Sequence, residues 1–197
     1  MRKAIWVSVL ALCCTGMGQA QMMGGMKMET PAVGAAVDPA KELDGMLGMF
    51  EAEFTGAAKA MPADKYDFAP KTAMIAGSKY DGVRTFAQQV THVIQANYSF
   101  YSRVGGMKPD VDMKALESMT KKDEIVAALA ASFAFAHKSI STITAANAFA
   151  AIKGADGMNT RASLAAFGVA HGFDHYGQLV EYLRMNGIIP PASAGGM

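Results

Sequence analysis

Cysteine is scarce in this chain of 197 residues, with two copies that stand side by side at Cys13 and Cys14. The chain also has no large excess of charge of one sign, because its 18 Lys and Arg residues nearly balance its 17 Asp and Glu residues. The absence of a basic run excludes the usual electrostatic signature of nucleic-acid binding. Beyond the N-terminal segment no apolar run is long enough to cross a bilayer. What remains is 51% hydrophobic, which is typical of one globular domain.

The first twenty residues have the order of features found in a secretory signal peptide. Arg2 and Lys3 precede an apolar run over residues 4–14, and small residues then lead to Ala20. We predict a signal peptide over residues 1–20 and export to the periplasm or the extracellular space. The alternative is an N-terminal helix of the fold. Lipidation is disfavoured, because the bulky Leu12 precedes Cys13.

Removal of this segment changes the chemistry available to the protein. It removes both cysteines and two positive charges, so the net charge changes from +1 to −1. A chain without cysteine forms no disulfide and offers neither a thiolate nucleophile nor a thiolate metal ligand. Any chemistry then depends on histidine, carboxylate and tyrosine side chains.

The next segment, residues 21–37, has neither helical nor strand periodicity and predicts a flexible linker rich in Met, Gly and Ala. Its four clustered methionines, Met22, Met23, Met26 and Met28, leave open a soft Cu(I) site, because thioethers favour that ion. At the other end, residues 194–197 predict a disordered tail.

Four later segments repeat apolar residues at intervals of three and four, as amphipathic helices do. They predict helices over residues 39–61, 82–104, 120–140 and 160–187, with Thr160 as an N-cap. The predicted apolar stripe of the first helix is Leu43, Met46, Leu47, Phe50 and Phe54, and that of the third is Val126, Leu129, Phe133, His137 and Ile140. No useful length alternates with period two. We predict an all-α fold, an antiparallel four-helix bundle over residues 38–193 with a long loop between helices 1 and 2.

The histidines are few and fall on three of these helices. His171 and His175 are separated by four residues, so both imidazoles leave one face of helix 4 at a spacing that can chelate an ion. The spacing alone leaves open two ordinary, partly buried histidines. A metalloprotease motif is excluded, because no glutamate follows His171. A serine-hydrolase motif is missing as well.

The other candidate positions are less clear from periodicity. His92 lies off the apolar face of helix 2 and shares a side with Thr85, Gln89, Ala96 and Ser99, which predicts a surface or cleft histidine. His137 lies on the apolar stripe of helix 3, where a histidine with ordinary hydrogen-bond partners is more common than a ligand. Asp174 is next to His175 in sequence but points about 100° away around the helix, which disfavours a direct role.

Two runs together resemble the DinB-like superfamily. The run from Val83 to Tyr98, which contains Gln89-Val90-Thr91-His92, is similar to its second helix, and the run from Ala170 to Pro191 is similar to its fourth. The resemblance implies a four-helix bundle that holds a divalent metal ion through His92, His171 and His175, with open coordination positions. Members often carry His and Arg where this chain has Asp174 and Tyr176.

The resemblance also directs the functional hypotheses. It implies metal-dependent thiol transfer, and the predicted export makes a hydrolase equally open, so we expect an exported metal-dependent transferase or hydrolase with a small-molecule substrate of unknown identity and Zn²⁺, Ni²⁺, Mn²⁺ or Fe²⁺ as cofactor. A non-catalytic bundle that binds metal or a small ligand is the alternative, and a structural protein with incidental histidines is a third. Pairing into a homodimer is a further expectation from the family.

Overall fold

A computed structural model describes residues 30–71, 74 and 76–194. The predicted signal peptide, the methionine cluster and the last three residues lie outside the described residues. Residues 30–35 belong to a separate N-terminal unit and contain a turn in which the Ala35 N–H donates to the Ala32 carbonyl. The second unit begins at Ala36 and contains all of the elements below.

The second unit is built from helices and one small hairpin. The α-helices are α1 (Pro39–Ala60), α2 (Phe86–Gly105), α3 (Met113–Glu117), α4 (Lys122–Ile140), α5 (Arg161–Met185) and α6 (Pro191–Ala194), with a short 3₁₀ helix at Ala63–Lys65. The strands β1 (Ala151–Ala155) and β2 (Met158–Thr160) pair antiparallel immediately before α5. In the part of the chain that the structure describes, no helix is long and apolar enough to cross a membrane.

The four long helices are α1, α2, α4 and α5, and they form a four-helix bundle, as the sequence predicts. Each packs against two others, so that α1 and α2 lie diagonally opposite. Their shared core is made of fully buried apolar side chains, among them Leu47, Phe50, Phe54, Phe86, Ile94, Tyr101, Leu129, Phe133, Leu164 and Leu179. The all-α prediction is confirmed. Four expected stripe residues lie nearer the surface, since Met46 is 45% exposed and Leu43, Val126 and His137 are half-buried.

Contacts between the helices give their directions. Near the start of α1, Asp44 contacts His137 near the end of α4, and near the end of α1, Lys59 contacts Lys122 at the start of α4. This pair is therefore antiparallel. The pair α2 and α5 is antiparallel as well. In contrast, α2 and α4 run parallel, because Asn97 meets Ser132 at one level and Gly105 meets Ser139 further along both helices. The long crossover that contains α3 makes a parallel pair possible.

The helix ends are set by local chemistry. The sequence predicted that helix 2 begins near Gly82, but α2 begins at Phe86, because Thr85 and Gln88 form a reciprocal capping box. Thr160 caps α5 as predicted, with Ser163 as its partner. The hairpin before α5 was not predicted. Its turn is Asp156-Gly157, where both residues have positive φ, 52° and 81°, as a two-residue hairpin turn requires.

The long loop after α1 folds over one end of the bundle. Tyr66 is 2% exposed, and its hydroxyl donates to the Ala58 carbonyl at 2.6 Å. Phe68 packs edge-on against Tyr182 of α5. Backbone hydrogen bonds from Phe86 and Ala87 to the carbonyls of Phe68 and Tyr66 join the loop to the start of α2. The candidate site lies nearer this end, on the first turns of α2.

Candidate metal centre

Three of the four histidines meet where α2 crosses α5. His92 comes from α2, and His171 and His175 come from α5, one turn apart. One ring nitrogen of each lies within 4.8 Å of the others. The Nε2 atoms of His92 and His171 are 3.2 Å apart. Ligands at the Zn–N distance of a tetrahedral site are separated by about 3.3 Å, so the cluster has the dimensions of a site for one ion.

Close packing by α5 brings its histidines to α2. A Cβ atom on Gly168 would lie 2.9 Å from the Tyr101 hydroxyl oxygen, so glycine allows this tyrosine of α2 to approach. That hydroxyl donates to the Ala165 carbonyl at 3.1 Å. At the next turn, a Cβ on Gly172 would collide with the Phe50 ring of α1. The two glycines on either side of His171 therefore let α5 sit deep against both neighbours.

A row of amide groups orients His175. Its Nδ1 is 2.8 Å from Oε1 of Gln89, which is only 2% exposed. Because a carboxamide oxygen only accepts, Nδ1 carries the proton and Nε2 presents its lone pair. Gln89 Nε2 donates to Gln178 Oε1 at 2.5 Å, and Gln178 Nε2 donates to Asp174 Oδ2 at 3.2 Å. Outer hydrogen bonds of this kind fix the tautomer and the ring orientation of a metal-binding histidine.

This row also gives the position of Asp174. Its side chain is exposed, as the predicted helix geometry requires, and it makes no direct contact with the imidazoles. It is the last acceptor in the row that begins at His175. The direct role that the sequence disfavoured is not present in the structure, and an indirect connection replaces it.

All three histidines are held neutral. Burial, the Arg84 charge and His171 lower the pKa of His92 to about 4. Burial and the two neighbouring imidazoles lower the pKa of His175 to about 4, and burial also lowers the pKa of His171. At neutral pH their lone pairs are thus free, which is the form that binds a metal. Geometry, tautomer and charge all fit a divalent ion.

The surroundings of the cluster are asymmetric. On one side, the Phe100 and Phe167 rings pack against His171 with centroid distances of 5.5 Å and 6.0 Å. On the other side His92 borders an open groove of about 370 Å³ with polar walls. The aromatic rings cover part of His171, and the groove gives a small molecule a route to His92.

The fourth histidine, His137, contacts two carboxylates and none of the three clustered histidines. The ring nitrogens of His137 lie 2.5 Å from Asp44 Oδ1 and 3.0 Å from Glu51 Oε2, both on α1. The side chain is 30% exposed. His137 is therefore a histidine with ordinary partners, as predicted, at the border of the core.

A model of the DinB superfamily matches residues 47–179. The chain belongs to the DinB superfamily. The matched span includes His92, His171 and His175, as well as the residues of α2 and most of α5 that suggested the resemblance. DinB proteins bind metals, and the three neighbouring histidines could hold an ion in this member. A comparison with curated proteins gave no match.

Sequence reasoning missed part of the site in this DinB protein. Gln89 and Gln178 were not among the candidates, although each is three residues from a candidate histidine. That spacing places each amide on the same side of its helix as the histidine, and was the available signal. The mutual contact of the two amides joins α2 to α5 and is not visible in either helix alone.

Proposed function

We propose that this protein is an exported metal-dependent enzyme in which His92, His171 and His175 hold one divalent ion. The reaction classes that the site supports best are group transfer and hydrolysis. One observation carries the proposal, the convergence of three neutral imidazoles within 4.8 Å beside an open groove. Zn²⁺, Ni²⁺, Mn²⁺ and Fe²⁺ all accept imidazole ligands, so the donor set leaves the metal identity to experiment.

Three protein ligands are typical of a catalytic site, because they leave a position for water or substrate. A divalent ion in such a site polarises a carbonyl or phosphoryl group, or lowers the pKa of a bound water or thiol. Gln89 holds His175 in the ligating tautomer. Phe100 and Phe167 cover part of His171, and the groove beside His92 admits the substrate.

Metal content of the purified protein tests the binding step. We expect about one equivalent after incubation with each candidate ion, and loss of that equivalent in His92→Ala, His171→Ala and His175→Ala. His137→Ala is the matched control and should keep its metal, because its partners are carboxylates on α1. Near-zero metal in the unmodified protein would overturn the proposal.

Catalysis needs a separate measurement, because a non-catalytic metal-binding bundle would pass the binding test. The metal-loaded protein is assayed for thiol transfer to electrophiles and for ester and amide hydrolysis. Turnover that disappears in His171→Ala and remains in His137→Ala supports the enzyme. Stoichiometric metal with no turnover supports the binding protein instead. Deletion of residues 21–37 distinguishes copper at the methionine cluster from metal at the three histidines, because copper that is lost with this segment belongs to the cluster.

Export is proposed from residues 1–20. The mass of the protein in its native host tests it, because cleavage after Ala20 removes Cys13 and Cys14 with the rest of the segment. We expect the shortened chain in the periplasmic or extracellular fraction. Full-length protein in the cytoplasmic fraction would contradict export and leave the metal site unaffected. Size measurement on the same sample tests the expected homodimer.

A further inference from the structure

The groove beside the candidate metal centre has walls of distinct chemistry. It is lined along the first half of α2 by His92, Gln88 and Gln95, and at its ends by Arg84 and Glu117. Its volume of about 370 Å³ is that of a pocket for a small molecule. The walls are mostly polar, which favours a hydrophilic ligand.

Arg84 is fixed at its backbone and free at its charged end. Its carbonyl accepts a hydrogen bond from the Tyr182 hydroxyl at 2.9 Å, and the next residue, Thr85, caps α2. Among the described residues, no carboxylate lies within ion-pair distance of its guanidinium. The five N–H donors of this group are thus available to a ligand.

The position of this charge is unfavourable for metal binding alone. Arg84 and His92 line the same groove, so the positive field of the guanidinium reaches the candidate metal centre. The same field repels a divalent cation. A negatively charged ligand that binds between the ion and the guanidinium would compensate for both positive charges.

Neighbouring groups support an anion at this end of the groove. The Gln88 Oε1 atom accepts from the Thr85 N–H at 2.9 Å as part of the capping box. This fixes the carboxamide so that its NH₂ group, which has no partner within the described part of the chain, is the free end. At the opposite end the Glu117 side chain, an acidic group, accepts from Gln95 Nε2 at 3.1 Å. The groove therefore favours one anionic group, at the Arg84 end only.

We propose that this groove is the substrate subsite of the metal centre, and that it binds small molecules through one carboxylate or phosphate group paired with Arg84. The subsite rests on the proposed function, because it places the rest of the substrate beside the proposed ligand His92. Gln88 contributes a second donor to the anion. Arg84 is in this proposal the residue that determines specificity for anionic substrates.

Anion binding to the metal-free protein tests the subsite without any need for activity. Acetate and inorganic phosphate are titrated at pH 7.5, and the ring signals of the histidines are followed by NMR. We expect saturable shifts of the His92 signals, because that ring borders the groove, and none of the distant His137 signals. The anion with the lower dissociation constant identifies the substrate group as carboxylate or phosphate.

Variants assign the effect to the guanidinium. Arg84→Ala should weaken anion binding by roughly tenfold or more, as expected for loss of a charged hydrogen bond. Arg84→Lys should retain part of the affinity. The matched control is Arg103→Ala, an exposed arginine near the other end of α2, which should bind anions as the unmodified protein does. Equal dissociation constants in Arg84→Ala and the unmodified protein would overturn the proposal, as would unshifted His92 signals.

Zn²⁺ affinity of the same samples separates the two proposals. Arg84→Ala should keep or increase its Zn²⁺ affinity, because a repelling charge has been removed. Anion binding that depends on Arg84, in a protein that takes up no metal, contradicts the proposed function. Normal Zn²⁺ binding without anion binding that depends on Arg84 contradicts the subsite alone.

Discussion

At the scale of single residues, Gln89 is the most informative side chain of the site. A buried carboxamide is stable only when its donors and acceptors have partners. The Gln89 amide oxygen bonds to His175 and its nitrogen donates to Gln178, and both partners belong to α5. This one side chain therefore connects the two helices of the site and sets the protonated nitrogen of a proposed ligand.

The first prediction concerns this role. Gln89→Ala should lower Zn²⁺ affinity by about tenfold to a hundredfold, the usual effect of losing an outer-shell partner. Gln89→Glu keeps an acceptor for His175 and should recover most of the affinity. Competition with a chelator of known affinity measures the change.

The control for this prediction is Gln95→Ala on the same helix. Gln95 bonds to the Met113 carbonyl and to Glu117, and it contacts none of the three histidines. Equal Zn²⁺ affinities in Gln89→Ala and Gln95→Ala would refute a positioning role for Gln89.

The residues of the site differ in how far the sequence predicts them. The spacing of His171 and His175 indicates a pair on one face, and the structure places them together. His92 was identified as a candidate ligand only through the family resemblance. Periodicity distinguishes core residues from solvent-exposed ones, and a residue that lines a cleft fits neither class. The side of its helix that Gln89 occupies was open to prediction from its spacing to His92, but its contact with His175, 86 residues away along the chain, was not.

At the scale of the elements, His137 joins α1 to α4. Its two ring nitrogens meet carboxylates that are seven residues apart on one face of α1. Burial opposes protonation of this imidazole, but the hydrogen bonds and charges of Asp44 and Glu51 outweigh burial and raise its pKa above the usual 6.5. The protonated ring donates to both carboxylates at once.

The second prediction is a pH-dependent stability that His137 controls. Below about pH 6 the imidazole is protonated in the folded and unfolded states, so the ion pairs contribute fully. As the pH rises through the raised folded pKa, the contribution is lost. Urea titrations measure the free energy of unfolding of the unmodified protein and of His137→Gln. The unmodified protein should be the more stable of the two at about pH 6, and the difference should shrink towards pH 9.

Lys138→Gln is the control for this prediction. It removes a positive charge from the neighbouring exposed position and leaves the contacts with α1 in place. The difference between the unmodified protein and Lys138→Gln should vary little with pH. A gap for His137→Gln that is constant across the pH range would contradict the proposed ion pairs.

The third prediction uses two glycines of α5. Gly172→Ala should destabilise the fold by about 1–3 kcal/mol, because its Cβ would collide with the buried Phe50 ring. Gly177→Ala on the same helix meets nothing within 4 Å and should stabilise the fold by about 0.5–1 kcal/mol. Urea unfolding of both variants measures the changes. Equal effects would show that α5 does not pack against Phe50.

The elements were predicted unevenly, for physical reasons. Long amphipathic helices give a clear period, and all four predicted helices occur. The strands have five and three residues, too few for alternation to be visible. Asp156-Gly157 was the available signal, because this pair favours the positive φ values of a hairpin turn. The predicted start of helix 2 was four residues too early, because the spacing of apolar residues does not identify Thr85 as the N-cap.

At the scale of the whole molecule, helix direction is where the structure departs from the predicted antiparallel arrangement, because α2 and α4 run parallel. Relative to α1, α2 and α4 run the opposite way, and α5 runs the same way. Periodicity tells which face of a helix is buried but not which neighbour buries it. Connection length also left this open, since the crossover through α3 is long enough for either direction.

The fourth prediction concerns the stability of the whole fold. The proposed ligands come from α2 and α5, which are brought together only in the folded chain, so Zn²⁺ should bind that state and stabilise it. At a free concentration one hundred times the dissociation constant, the gain is about 2.7 kcal/mol. The melting temperature should rise with Zn²⁺ and stay unchanged in His171→Ala. An equal rise in both proteins would indicate binding elsewhere.

The hairpin has a consequence for how the length of this chain can vary. Thr160 is both the last residue of β2 and the N-cap of α5, so strand pairing fixes where the helix begins. One residue inserted between Thr160 and His171 would turn the rest of α5 by about 100° and carry both histidines away from His92. An insertion in the exposed turn at Asp156-Gly157 would be absorbed as a longer loop. Related chains with a working site should therefore differ in length at the turn and keep the eleven-residue interval from cap to first histidine.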